Sequence, residues 1–182
     1  MKIHMETERF LIRDLVMGDA SGMFALDSDA EVHRYLGNKP IQTLEEAKKI
    51  IMSVRSQYEE YGMGRWAIIN KKTNDFVGWT GLKYERKLRK GFDYYDLGYR
   101  LRKKYWGQGI GTETALASLQ YGFDQLKLEK IGAAADVNNI GSNKILQKIG
   151  LKSTETFYHE DTLCNWYELK KTDWIKETHF NE

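Results

Sequence analysis

The chain has one cysteine, Cys164, and one proline, Pro40, in 182 residues. A lone cysteine excludes an internal disulfide framework and a cysteine metal cage. With one proline and no Pro/Gly/Ser-rich tract there is no linker on which to divide the chain, so residues 1–182 read as a single domain. A domain of this length buries enough apolar surface to fold without a disulfide or metal staple. Long apolar runs are also lacking. Stretches such as Trp66-Ala67-Ile68-Ile69 are as long as they get, where a membrane-spanning helix needs about 20 residues. Met1-Lys2-Ile3-His4-Met5-Glu6 offers no apolar core for a secretory signal, so the expected compartment is the cytoplasm. The histidines His4, His33, His159 and His179 form no HxxxH pair, and no metal site is expected. A net charge of +2 and a pI near 8.5 are too mild to argue for nucleic acid.

What remains is the composition of a soluble globular protein, with 41% hydrophobic, 13% aromatic and 30% charged residues. Thr7 to Leu15 reads as a first strand, with Phe10 and Ile12 on one side. Short helical patterning follows between Met17 and Tyr35. Thr43-Leu44-Glu45-Glu46 spells a capping box, and apolar residues then recur at helical spacing to Tyr61, with Gly62 as the stop. Arg65 to Asn70 and Phe76 to Tyr84 form a hairpin around the polar turn Lys71 to Asp75. Tyr94 to Leu101 is a further strand, and a glycine-rich turn leads from it into a helix carrying Leu116, Leu119, Phe123 and Leu126. Lys130 to Asp136 is a small-residue strand. Ile140 to Ile149 is a short helix closed by Gly150, in the spelling of a left-handed cap. Strands at Lys152 to Tyr158 and Leu163 to Lys170 complete the chain. The order predicts an α/β fold: a mixed, mostly antiparallel sheet of about seven strands with about four helices. One parallel step falls across the segment Gly107 to Asp136.

Leu97 to Thr112, LGYRLRKKYWGQGIGT, carries the chemistry. A strand ends near Leu101, the basic residues Arg102, Lys103 and Lys104 follow, and Gly107-Gln108-Gly109-Ile110-Gly111-Thr112 opens a helix. A helix N-terminus offers free N–H groups and about half a positive charge, and glycines let an anion approach them. The stretch reads as a cradle for a pyrophosphate. The P-loop spelling is absent, and GxGxG is not the GxGxxG of dinucleotide folds. A glycine-eased turn that binds nothing is the competing reading, and the flanking strand, basic run and helix weigh against it.

Tyr105-Trp106-Gly107-Gln108-Gly109-Ile110-Gly111-Thr112-Glu113 resembles the acetyl-CoA loop of the GNAT family of N-acetyltransferases, closest to the branch of ribosomal-protein N-terminal acetyltransferases. Thr7 to Arg13 resembles that branch's first strand, and Leu97 to Leu101 its splayed fourth strand. Asn139-Ile140-Gly141-Ser142 with Lys148 to Leu151 resembles its Asn-x-x-Ser and Lys-x-Gly-Phe signature. Two positions depart: Trp106 stands where the family often has Gln or Arg, and Leu146 where some members carry a tyrosine general acid.

The resemblance implies a GNAT sheet splayed between its fourth and fifth strands, with acetyl-CoA as co-substrate and no metal. It implies pyrophosphate contacts from the backbone N–H groups of Gln108, Gly109, Gly111 and Thr112, with Gly107 and Ile110 as further cofactor-binding residues of the loop. Strand-like pairing of the pantetheine arm falls to Tyr99 and Leu101, with Arg100 between them as a further cofactor-binding residue, and a side-chain contact to Asn139. Ser142 is then the hydroxyl near the departing sulfur. Arg102, Lys103, Lys104 and Lys144 are candidates for the nucleotide phosphates, against the plainer reading of a solvated face. Asp96 is the first choice for a base that takes the amine proton. Asp136 and Glu113 are rivals with structural roles of their own, strand-end bonding and the helix dipole. His33 and His159 border the expected acceptor mouth, or are surface loop residues. Cys164 reads as packing, since the family transfers acetyl directly.

The implied function is transfer of an acetyl group to a primary amine, which is a protein N-terminus, polyamine, antibiotic or small metabolite, in a ternary complex. The alternative is a CoA-binding sensor or interaction module without turnover. Nucleic-acid binding is a third reading, resting on nine Lys/Arg against three Asp/Glu from Lys83 to Lys104, and CoA phosphates account for much of that charge. A homodimer is compatible with the sequence. The mouth segments, Ala20 to Leu36 and Tyr158 to Leu163, carry Asp27, Asp29, Glu31, Glu160 and Asp161 against Arg34, which favours a cationic acceptor.

Overall fold

The computed structural model describes residues 1–174; His179 lies outside them. Eight strands form one sheet in the order β1-β2-β3-β4-β5-β6-β8-β7. They are β1 Ile3–Glu6, β2 Phe10–Arg13, β3 Arg65–Asn70, β4 Phe76–Glu85, β5 Tyr94–Leu101, β6 Lys130–Asp136, β7 Lys152–His159 and β8 Thr162–Lys170. The helices between them are α1 Ala20–Asp27, α2 Ala30–His33, α3 Leu44–Tyr61, α4 Ile110–Asp124 and α5 Ile140–Lys148, and residues 171–174 after β8 are helical as well.

The expected first strand, Thr7 to Leu15, narrows to β2, and a strand the sequence did not indicate, β1, precedes it. Thr7 donates its N–H to Phe10 O at 2.9 Å, and its Oγ1 accepts from Phe10 N at 3.0 Å. That turn folds Ile3–Glu6 back on β2 as an eighth, antiparallel strand. The patterning between Met17 and Tyr35 resolves into a 3-10 turn at Met17–Asp19 followed by α1 and α2. The capping box of α3 is present in altered form. Thr43 Oγ1 accepts from Glu46 N at 3.3 Å, but the Glu46 carboxylate reaches past the cap to Gln42 N, at 2.7 Å. Gly62, in the left-handed conformation, ends that helix as expected.

β3 is buried on both faces. Trp66 packs toward α4 with Leu82, Leu119 and Phe123, while Ala67 and Ile69 pack toward α1 and α3 with Met23, Leu26 and Ile51. The strand alternation thus builds two cores, one on each side of the sheet. Every strand pair is antiparallel except β5 with β6, which meet at the single register pair Asp96↔Gly132. Past that point they diverge, and this is the splay between the fourth and fifth strands of the sequence reading.

Candidate active site

The divergence of β5 from β6 opens a cleft of about 1000 Å³. Side chains of β5 alternate across the sheet. Tyr99 and Leu101 face α5 and α4, whereas Asp96 and Arg100 face the α1 side. The strand therefore carries two different chemistries on its two faces.

On the first face the cleft ends at the N-terminus of α4. Gly109, the N-cap, has φ 75° and Gly107 has φ 73°, conformations that L side chains rarely adopt. Nothing lies within 4 Å of a Cβ built on Gly107, and only Arg9 Nη2, at 3.8 Å, lies that near one on Gly109. Crowding by the protein thus does not require these glycines; the loop's left-handed turns do. No side chain caps α4, so its leading N–H groups turn toward the cleft with the positive end of the helix dipole. The loop is braced from outside: Arg9 donates to Gln108 O at 3.1 Å and pairs with Glu113 at 2.6 Å, and Trp106 Nε1 donates to Leu101 O at 2.8 Å. An open, uncapped and rigidly held helix start fits a diphosphate. Of the expected loop residues, all but Gln108 line the cleft; its side chain turns back to Lys104 O. Arg102 is directed to Phe76 O, away from a phosphate role, while Lys103 and Lys104 stand exposed, 4.0 and 3.9 Å from Glu31 and Asp75.

The opposite wall is the start of α5. Asn139 Oδ1 caps the helix by accepting from Ser142 N at 3.1 Å, a second use of the Asn-x-x-Ser spacing. Asn143 then anchors the helix to the sheet. Its Nδ2 donates to Asp136 O and Asn139 O at 2.9 and 2.8 Å, and its Oδ1 accepts from Asn165 and Tyr167, each at 2.8 Å. Asp136 Oδ1 accepts from Asn138 N at 2.8 Å, which is the strand-end role foreseen for it. The Tyr99 hydroxyl lies 3.1 Å from Ser142 Oγ, and burial pushes this phenol well above its ordinary range.

On the second face Asp96 is ion-paired with Arg65. Arg65 also donates to Gly81 O and Asp96 O at 2.6 and 2.7 Å. Its guanidinium lies over Gly98, where an added Cβ would come within 2.6 Å of it. Burial pushes the Asp96 carboxyl up, against the pull of Arg65. Trp79 stands between Arg65 and Arg100, 5.3 and 5.0 Å from its ring. Arg100 in turn pairs with Asp27 at 2.6 Å. None of these pairings was foreseen.

They correct the acidic mouth. Asp27 is buried and neutralised by Arg100, with His33 3.4 Å away, and Asp29 caps α2. Of the five mouth carboxylates only Glu31 and Glu160 line the cleft, with His159 also in its lining. His33 is buried, not a surface loop residue. Cys164 lines the cleft from β8, and burial raises its thiol, which disfavours a nucleophilic thiolate. Among the described residues no group of three His, Cys, Asp or Glu is placed to hold a metal, and no helix is long and apolar enough to cross a membrane.

Comparison with known proteins agrees with this geometry. The family model described as "Acetyltransferase (GNAT) domain" matches residues 9–152. A relative named Uncharacterized N-acetyltransferase YoaA, from Bacillus subtilis (strain 168), is 31% identical over 149 residues, 81% of this chain and 82% of its own. Among solved structures, a GNAT-family acetyltransferase from Bacillus anthracis superposes with a TM-score of 0.79 at 24% identity, over 94% of this chain and 99% of its own. A spermidine N-acetyltransferase from Vibrio cholerae, solved with CoA and spermine, gives 0.75 at 14% identity, over 93% and 99%. At these identities the two structures speak for the fold, while the family model and the YoaA relative carry the assignment: the chain belongs to the GNAT family and is an acetyl-CoA-dependent acetyltransferase.

Proposed function

We propose that the protein moves the acetyl group of acetyl-CoA to a primary amine by direct attack, with both substrates bound at once. The observation that carries this is the two-faced strand β5. One face meets an uncapped helix start and Ser142, and the other meets a buried carboxylate and an open mouth. The thioester supplies an activated acyl carbon with a thiolate leaving group. The remaining chemistry falls to the chain.

The first N–H groups of α4 hold the pyrophosphate. Free backbone groups of β5 past Asp96 hold the pantetheine arm as a neighbouring strand would, with Tyr99 to Leu101 as the pairing residues. The side chain of Asn139 steadies the same arm. Asp96 takes the proton that the ammonium group must lose, directly or through water. A carboxyl raised by burial is a better base than an ordinary one, and Arg65 keeps it ionised. As the N–C bond forms and the C–S bond breaks, the electron pair passes to sulfur, where the Ser142 O–H donates. The thiolate then takes its proton from water. Glu31 and Glu160 favour a cationic acceptor.

The test is incubation with acetyl-CoA and a panel of peptide N-termini, polyamines, aminoglycosides and amino-acid derivatives, reading free thiol and acetylated product by mass spectrometry. Thiol release matched by one acetylated amine supports transfer. CoA binding without release against the whole panel supports a sensor instead. Neutralising Glu31 and Glu160 together should raise the acceptor KM and leave the acetyl-CoA KM unchanged; an uncharged or anionic best acceptor refutes the acidic-mouth reading.

A further inference from the structure

The α5 position at which some relatives carry a phenol is filled here by Leu146, almost fully buried. A phenol nevertheless reaches the same wall from another element. Tyr99 projects from β5, and its hydroxyl lies 3.1 Å from both Ser142 Oγ and Ser142 O, across 43 residues of sequence. Tyr99 has one proton to give. The Ser142 carbonyl belongs to the first turn of α5, whose own hydrogen-bond ladder supplies it a donor. Ser142 Oγ has no such partner in the helix. Its only hydrogen-bond partner among the described residues is Tyr99.

We propose, on the strength of the transfer reading above, that Tyr99 is the positioning residue for Ser142. Its hydroxyl donates to Ser142 Oγ and so turns the serine O–H into the cleft, toward the departing sulfur. The opposite arrangement, with Tyr99 donating to the carbonyl and Ser142 donating to Tyr99, would turn the serine proton away from the cleft. Charge building on sulfur selects between the two. A hydroxyl that donates to an anion becomes a better acceptor, so the Tyr99 bond strengthens as the C–S bond breaks. The benefit appears in the transition state and not in the bound thioester, and therefore falls on kcat. No proton moves along the pair. The phenol, raised by burial, stays protonated across the working pH range, as a permanent donor must.

The kinetic arm compares wild type, Tyr99→Phe, Ser142→Ala and the double variant. Tyr99→Phe should lower kcat about three- to tenfold with the acetyl-CoA KM within about twofold, and should cause no further loss in the Ser142→Ala background. Unchanged kcat in Tyr99→Phe, or losses that multiply in the double variant, overturns the proposal. A second arm needs no turnover. In Cys164→Ala with Ser142→Cys, the introduced thiol is titrated by its alkylation rate with iodoacetamide. Tyr99 should stabilise the thiolate, so adding Tyr99→Phe should slow alkylation at neutral pH about threefold or more. Equal rates overturn the proposal whether or not an acceptor is known. The expected alkylation pattern in a protein whose wild type releases no CoA supports the Tyr99–Ser142 link and refutes the transfer reading alone.

Discussion

Replacing Asn143 with alanine removes four hydrogen bonds at once, but they are not equivalent. The carbonyls of Asp136 and Asn139 keep the backbone donors Asn139 N and Asn143 N, at 2.9 and 3.0 Å, and lose little. The Tyr167 hydroxyl and the Asn165 amide lose the acceptor they share at 2.8 Å. Tyr167 is 1% exposed, so its hydroxyl is left without water. An orphaned buried donor costs about 1–3 kcal/mol, and loss of the half-buried Asn165 bond about 1 more, for a total of about 2–4 kcal/mol. For a domain of this size that lowers Tm by about 5–15 °C. Urea denaturation and thermal melting read the loss. Asn143→Asp keeps both acceptors but sets a negative oxygen against two carbonyls, so it should be less stable at pH 7 than at pH 5, where the carboxyl regains a proton. Tyr167→Phe removes the orphan, so its cost in the Asn143→Ala background should be at least about 1 kcal/mol lower than alone. Strict additivity, or a loss below about 0.5 kcal/mol for Asn143→Ala, refutes the view of Asn143 as the anchor of α5.

The left-handed N-cap makes Gly109→Ala strained, and its methyl group projects into the cradle; calorimetry should show CoA affinity reduced several-fold or more in a protein that still folds. Asp96→Asn should lower kcat/KM for the acceptor about a hundredfold with CoA binding intact, and the acid limb of the wild-type rate profile should fall above the ordinary carboxylate range, because burial raises that group; a limb near pH 4 argues against Asp96 as base. His4 stacks on Trp66 at 4.6 Å and bonds Asp14 at 2.7 Å, and burial lowers its pKa below 6.5. The unfolded chain therefore binds more protons just below pH 6.5, and stability should fall on acidification by at most about 1.4 kcal/mol per pH unit from this group, a slope that His4→Gln should flatten.

Much of the framework was legible because it is local. β3, β5 and β6 fall where alternation and composition placed them, and Thr43 and Gly62 bound α3 as their chemistry demands. The anion loop and the start of α5 were readable for the same reason, since each is a short spacing that acts within one turn. β1 was missed because Ile3–Glu6 alternates over only four residues, too few to stand out in the sequence, and the turn at Thr7 that folds it back on β2 rests on a backbone and side-chain pairing with Phe10. The pairs Arg65–Asp96, Tyr99–Ser142 and Arg100–Asp27 join residues 31, 43 and 73 positions apart. Such pairs depend on strand register and on which face of β5 each residue takes. A sequence states that a residue is charged, but its partner is chosen by the sheet. Asp27 shows the consequence: counted as a mouth carboxylate, it is the buried counter-ion of Arg100.

The single register pair between β5 and β6 has one more implication, for handling and expression. An open sheet has two outer margins, and here β5 presents a third within the fold, since past Asp96 it is paired to β4 alone. Unpaired strand margins are templates on which other chains add, and natural proteins shield them. The helices α4 and α5 flank this one and keep a second chain out, so any change that loosens α5 also uncovers an aggregation site. A tightly bound nucleotide at a hundred times its Kd would add about 2.7 kcal/mol to the folded state. The solubility of this protein should therefore follow the CoA supply of the cell that makes it.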